Sequence, residues 1–279
     1  MAIITISRQL GSGGNATANR LAKILGYSLI DKAKIHEMVS DYGRFKTELE
    51  KVVNEEKPGF LDRFFRSQEI YLDLLQSLIY EIACMGNVII MGRGGHMILK
   101  DVPGVLRVKM ISPYELRIKR VMEDQGVSRE TAEELIRQND RERTGFMRYL
   151  FDIDEADPNF YDLVINTEHI SIATAADFIA QAVKSPELQA ASSESMEMLK
   201  RLALAKKVEI VITDEASSSS YMRVQVNAHG VVTLEGIVRS EEEKRKVEEK
   251  ALSVRGVREV INNVAIVEIP PGAEWPQGW

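Results

Sequence analysis

The feature that most constrains this chain is its start, where Ile3-Ile4-Thr5-Ile6 runs into Ser7-Arg8-Gln9-Leu10-Gly11-Ser12-Gly13-Gly14-Asn15-Ala16-Thr17. An apolar strand, a glycine-rich turn and then a helix, marked by Ala18, Leu21, Ala22 and Leu25 and stopped by Gly26, aim backbone N–H groups and a positive helix end at one point. Such a point holds phosphate; without a ligand, the same residues make a tight strand-to-helix turn.

The phosphate-loop consensus G-x-x-x-x-G-K-[ST] uses glycines for close backbone approach, lysine for the β/γ oxygens and a hydroxyl for Mg²⁺. Here Gly14 stands at the lysine position and Asn15 at the hydroxyl position. A lost charge-assisted hydrogen bond is worth roughly 1.5–3 kcal/mol, or about ten- to a hundredfold in rate if it acts in the transition state. Either Arg8 supplies the charge or activity is weak. Thr17 is an alternative source of the hydroxyl, three residues beyond Gly14, unless it faces the first helical turn.

At 279 residues the chain is longer than most single domains, so two are expected. A net charge of −6 argues against a general nucleic-acid binder. The single cysteine, Cys84, permits no intramolecular disulfide, and it forms no metal-ligand spacing with the four histidines. No charged region precedes the N-terminal apolar run, and no uninterrupted apolar run approaches ~18 residues. A cytoplasmic, reduced location without a transmembrane segment is expected.

From residue 1 to 184 the pattern alternates strands and helices, as in an α/β domain with a mainly parallel sheet. Candidate strands are Ile3–Ile6, Ser28–Ile30, Val88–Met91, Leu106–Ile111 and Leu163–Ile165, with long helical stretches at Ile70–Met85 and Pro113–Glu123. The small, polar stretch at Ser185–Ser195 reads as a linker or the frayed start of a helix, and residues 185–197 are assigned as a boundary. Beyond it, a helix near Met196–Lys207 and a polar interruption at Asp214–Ser220 precede alternating Met222, Val224 and Val226. A turn at Ala228-His229-Gly230, a strand Val231–Val238, a charged helix and a last strand Ile261–Val267 make a small α+β domain over 198–269. The Pro-, Gly- and Trp-rich tail, 270–279, is expected to be a surface strap or a disordered end.

Two further constellations carry charge. Met91-Gly92-Arg93-Gly94-Gly95 follows a strand, so Arg93 would emerge at the carboxyl edge of the sheet beside the glycine loop. It is there either as a phosphate clamp or as the partner of a surface carboxylate. Ser112-Pro113 leads to Arg117, Lys119 and Arg120, and then Arg137, Asp140, Arg141 and Arg143 precede Thr144-Gly145. The choice lies between an anion site and a solvated face laced with Glu130, Glu133, Glu134 and Glu142. Asp31, just past the second strand, either orients an acceptor or a metal-bound water, or caps the next helix.

Together, Ile4-Thr5-Ile6-Ser7-Arg8 with Gly11-Ser12-Gly13-Gly14, Gly92-Arg93-Gly94, Ser112-Pro113 and Asp140-Arg141-Glu142-Arg143 resemble the cytidylate kinase-like group of P-loop nucleoside monophosphate kinases, over about residues 2–184. The resemblance implies a P-loop kinase-type parallel sheet with flanking helices, ATP or GTP as phosphoryl donor, Mg²⁺, and a nucleotide or other small acceptor. It implies donor binding by Gly11, Ser12, Gly13, Gly14, Asn15, Ala16 and Thr17, with Arg117 and Arg120 near the nucleotide and Arg141 and Arg143 as lid arginines. Arg8, Arg93, Arg141, Arg143 and Asp31 would be the catalytic set, and no metal ligand can be assigned. Departures from true cytidylate kinases are Gly14 for lysine, Gly94 for aspartate, and Asp31-Lys32-Ala33-Lys34 for the Asp-Ser-Gly acceptor motif. They leave the acceptor open, and with it the alternative of a catalytically weak nucleotide sensor signalling through the second domain.

Residues 198–269 resemble a BON domain, through Val224-Gln225-Val226-Asn227, Gly230–Gly236 and Val254-Arg255-Gly256-Val257-Arg258-Glu259-Val260. That implies binding of a small ligand, a lipid or a protein. With 12 Lys+Arg against 11 Asp+Glu, a net of +1, strong attraction to anionic lipid is not expected, although Lys200, Arg201, Lys206 and Lys207 form a local basic patch.

Overall fold

The computed structural model describes residues 2–39, 68–213 and 222–267. The expected tail, 270–279, and the interruption at Asp214–Ser220 lie outside the described residues. The chain divides into two compact units, Met1–Leu199 and Lys200–Trp279.

In the first unit the elements are β1 (Ile3–Arg8), α1 (Gly14–Leu25), β2 (Ser28–Ile30), α2 (Lys32–Val39), α3 (Gln68–Cys84), β3 (Val88–Met91), α4 (Gly95–Ile98), β4 (Val105–Ile111), α5 (Tyr114–Gln125), α6 (Arg129–Phe151), β5 (Leu163–Asn166), α7 (Ile172–Ala182) and α8 (Pro186–Ala190). The five strands form one sheet in the order β2-β3-β1-β4-β5, with every pairing parallel. Parallel pairing demands a long return between strands, and the intervening helices supply it. β1 is central, and Ile3, Ile4, Thr5 and Ile6 are all buried. That is why this strand reads as an unbroken, β-branched run instead of an alternating one.

Ile3 pairs with Val88 on one side and Val105 on the other, so β1, β3 and β4 end together at one edge. On one face, Ala18 and Leu21 of α1 join Ala175, Ala176 and Ile179 of α7 over Ile4, Ile6, Val108 and Met110. Each large aliphatic side chain buried this way contributes roughly 1.5–3 kcal/mol. α1 starts at Gly13 and stops at Gly26, both left-handed, while Ser128 caps α6 by accepting from Thr131 N.

The expected strands are all present, with β1 extended to Arg8 and β5 to Asn166. Of the two forms open to Ser185–Ser195, the helical one is realised, as α8 and the start of α9 (Ser192–Thr213). α9 is longer than the expected Met196–Lys207.

In the second unit, β6 (Arg223–Val226) pairs antiparallel with β7 (Val231–Val238), which pairs parallel with β8 (Glu259–Ile266) across α10 (Glu241–Ser253). Asn227 Oδ1 accepts from His229 N and Val231 N to close the expected turn. β8 begins two residues before the expected strand because Glu259 and Val260 already pair with Val231 and Val232. Val232, Leu234 and Val238 of β7 meet Val208 and Ile212 of α9 and Val247 and Ala251 of α10. Their alternation is that of a sheet covered on one face.

Candidate functional site

The site is assembled outside the carboxyl ends of β1, β3 and β4. Gly11 and Gly13 take φ of 78° and 79°, a left-handed geometry that glycine alone adopts without strain. They curl Gln9–Gly13 against α5, and every carbonyl of that turn is held from behind. Ser12 Oγ donates to Gln9 O, Arg117 Nε to Leu10 O, Arg120 Nη1 to Gly11 O and Thr167 Oγ1 to Ser12 O, while Thr17 N donates to Gly13 O. With the carbonyls committed, no described group accepts from the N–H of Gly11, Gly13, Gly14 or Asn15. The loop therefore presents donors, as an anion cradle does.

Arg117 and Arg120 are thus placed behind the loop. Arg117 is buried, and its guanidinium makes a bidentate pair with Asp140 at 2.9 and 2.8 Å. Arg120 also donates to Thr167 Oγ1 and the Thr167 carbonyl. Both brace the cradle from behind, their guanidinium groups bonded to its carbonyls, to Asp140 and to Thr167. Ser12 is likewise turned inward, and Ala16 is exposed. Thr17 is fully buried, and its hydroxyl has no hydrogen-bond partner among the described residues.

A β-carbon at Gly14 would lie 2.6 Å from Arg8 Cβ and 2.8 Å from Arg8 Cγ. Arg8 therefore crosses the space into which a loop lysine would project. Its Nε donates to Asn15 Oδ1 at 3.2 Å.

Arg93 is 4% exposed and lies between Gly92 and Gly94 with all three in left-handed geometry, Arg93 at φ 57°. A non-glycine residue held there costs on the order of 1–3 kcal/mol and persists where surrounding structure enforces it. A β-carbon at Gly94 would lie 2.5 Å from Phe151 Cε2, so any side chain there would displace the Phe151 ring.

Arg143 is buried and donates to Glu155 Oε2 at 2.5 Å and Ser7 Oγ at 3.2 Å. Ser7, Arg8, Arg93, Arg143 and Glu155 line one cavity. Arg141 does not join them. Two residues along a continuous helix is about 200° of rotation, so Arg141 faces solvent, pairs with Glu134 at 3.2 Å and is 72% exposed at its side chain. There is no separate lid segment at this point, because Arg129–Phe151 is one helix.

Asp31 fills the capping role. Its Oδ1 accepts from Lys34 N at 3.0 Å, capping α2, and it lines an open groove with Arg8, Asn15, Lys32 and His36. Arg8 is common to the groove and the cavity.

A layer missed by the sequence reading lies under the cavity. His96 stacks on Tyr161, ring centroids 4.8 Å apart; Lys109 Nζ sits over the same ring at 5.0 Å and donates to the Glu155 carbonyl. Burial, then Lys109, Arg143 and Arg107, push the His96 pKa down to about 3, and burial lowers that of Lys109 and raises that of Tyr161 to about 12. The one sequence trace of this layer is Lys109, which shares a short, mainly apolar strand with Arg107.

Among the described residues, no group of three or more His, Cys, Asp or Glu side chains could hold a metal ion, and no helix is long and apolar enough to cross a membrane.

Comparison with known proteins gives a matching family model, the cytidylate kinase-like family, over residues 3–169, and a second, the BON domain, over 203–268. A cytidylate kinase of Thermococcus kodakarensis is 32% identical over 170 residues, covering 60% of this chain and 80% of its own. One from Pyrobaculum calidifontis is 28% identical over 66% of this chain and 96% of its own. An uncharacterized protein from Eubacterium ventriosum superposes with a TM-score of 0.53 at 26% identity, over 65% of this chain and 97% of that one.

Proposed function

The chain belongs to the cytidylate kinase-like family, and on that premise we propose that it transfers the γ-phosphoryl group of ATP or GTP to a nucleotide or other small acceptor. The observation that carries this reading is the convergence of Arg8, Arg93 and Arg143 on one cavity beside the glycine cradle. Three arginines lining one cavity suit a transferring phosphoryl group, whose charge is spread over three equatorial oxygens.

In this reading the N–H groups of Gly11, Gly13, Gly14 and Asn15 bind the donor phosphates. Arg8, reaching across Gly14, takes the place of the loop lysine. Arg93 and Arg143 neutralise charge as the bond from the γ-phosphorus to the bridging oxygen breaks and a bond to an acceptor oxygen forms. The groove lined by Asp31, Lys32 and His36 receives the acceptor's remaining parts, so that Arg8 touches both reactants.

Mg²⁺, when bound, would neutralise charge on the transferring phosphoryl group. The side chains of the site that would be available to it are Thr17, whose buried hydroxyl has no hydrogen-bond partner among the described residues, and the carboxylates of Asp31 and Glu155. The BON domain at 203–268 is read as a binding module for a small ligand or a partner. Lys206 of its basic patch is paired with Glu209 at 2.6 Å, which weakens the case for a lipid surface.

The test is ATP and GTP consumption by the full chain with Mg²⁺ against a panel of nucleoside monophosphates. Acceptor-dependent turnover is expected. Nucleotide binding without turnover across the panel would replace this reading with that of a sensor acting through the BON domain.

A further inference from the structure

The peptide between Ser12 and Gly13 is held from the far end of β5. Ser12 is fully buried, and its carbonyl accepts from the Thr167 hydroxyl at 2.8 Å. Thr167, the first residue after β5, is 1% exposed. Its own N–H donates to Ile111 O at 3.0 Å, at the end of the neighbouring strand, and Asn166 Oδ1 accepts from Glu168 N where the chain turns away. The sheet therefore fixes the hydroxyl, and the groups around it decide where its single proton goes. Arg120 Nη1 donates to the oxygen at 2.8 Å. Ile111 O lies 3.4 Å away and already receives the Thr167 N–H. The proton is left to Ser12 O.

The consequence falls on Gly13. In a planar trans peptide the C=O and the N–H point in opposite directions, so a carbonyl tied inward at Ser12 turns the Gly13 N–H outward into the cradle. Rotation of this peptide changes φ at Gly13, which stands at 79°, and glycine accepts positive and negative φ alike. The backbone by itself leaves both orientations open. In the rotated one a carbonyl oxygen would face the anion and repel it.

We propose that Thr167 is a positioning residue for the donor's phosphates: its hydroxyl locks the Ser12–Gly13 peptide so that the loop offers an N–H, and not a carbonyl, to a triphosphate. The lock rests on the donor-binding part of the proposed function and not on turnover. Arg117 Nε holds Leu10 O in the same way from α5, so the N–H groups of Gly11 and Gly13 are aimed from separate elements.

The experiment is equilibrium binding of MgATP and MgGTP to the full chain by calorimetry, for the wild type, Thr167→Val and Thr167→Ser, with thermal melting of each protein without nucleotide. Valine keeps the shape and removes the hydroxyl; serine restores it. Arg120 keeps Gly11 O and the main-chain carbonyl of position 167 in every variant. Loss of the lock predicts about tenfold or more weaker binding in Thr167→Val of whichever triphosphate the wild type binds, and affinity within about threefold of wild type in Thr167→Ser. Thr167→Ala empties the corner without crowding it and carries the same prediction if the valine variant does not fold. A bond that only stabilised the corner would lower the melting temperature and leave the affinity unchanged. Wild-type affinity in the hydroxyl-free variant, equal losses with valine and serine, or a wild type that binds neither triphosphate overturns the lock. Weakened binding in Thr167→Val together with a wild type that never turns over leaves the lock standing and removes the phosphotransferase reading. Turnover in Thr167→Val with a wild-type KM for the triphosphate removes the lock and leaves that reading, so the two failures are distinct.

Discussion

At Gly14 the side-chain space belongs to Arg8, so putting lysine back should not restore an ordinary phosphate loop. Gly14→Lys is expected to cost about 1–3 kcal/mol by overpacking, seen in thermal melting, and to lower turnover. A rise in turnover without loss of stability would contradict the packing of Arg8 over this glycine. His96 makes a second residue-level prediction. Its folded pKa, about 3, lies below the ordinary 6.5, so between those values the unfolded chain binds a proton that the folded protein refuses. Stability should therefore fall as pH drops from 6.5 toward 3, by up to about 1.4 kcal/mol per pH unit, and this group should contribute no pH dependence above 6.5. Denaturant unfolding at about pH 7 and about pH 5 should show a larger loss for wild type than for His96→Gln; equal losses would refute the buried neutral imidazole. The Gly14 substitution was legible in sequence because it breaks a motif of fixed spacing. His96 was not, since a lone histidine in Gly-His-Met-Ile-Leu has no partner at any characteristic interval, and its stack on Tyr161 joins residues 65 apart in the chain.

At the scale of elements, α6 separates two arginines that look equivalent in sequence. Arg141→Ala should change stability by less than about 0.5 kcal/mol and leave turnover intact, whereas Arg143→Ala should lower turnover about tenfold or more. Similar effects in the two variants, measured side by side, would contradict the orientation of this helix. α5 and α6 also brace the cradle through Arg117 and Asp140. Asp140→Ala removes the partner of a buried guanidinium and should destabilise by roughly 1–3 kcal/mol, discounted because Asp140 is part-exposed, while raising the KM for the nucleoside triphosphate. The strands were readable because each is a short apolar run between turn residues. The facing of Arg117 and Arg120 was not, because charge density in a sequence does not distinguish a guanidinium aimed at a ligand from one holding the back of a loop.

At the scale of the molecule, two units carry separate cores, one beneath the five-stranded sheet and one beneath β7. The change from strand–helix alternation to a single hairpin and a charged helix made that division legible. The parallel sheet brings β1, β3 and β4 to one edge, and this places Arg8 and Arg93 beside each other although 85 residues separate them in the chain. The central claim is that Arg8 does the work of the missing loop lysine in a phosphotransferase. It is tested most directly by the kcat of acceptor-dependent phosphoryl transfer for wild type, Arg8→Lys and Arg8→Ala. The account predicts a ten- to hundredfold lower kcat in Arg8→Ala, with partial retention in Arg8→Lys; transfer at the wild-type rate in Arg8→Ala would contradict it.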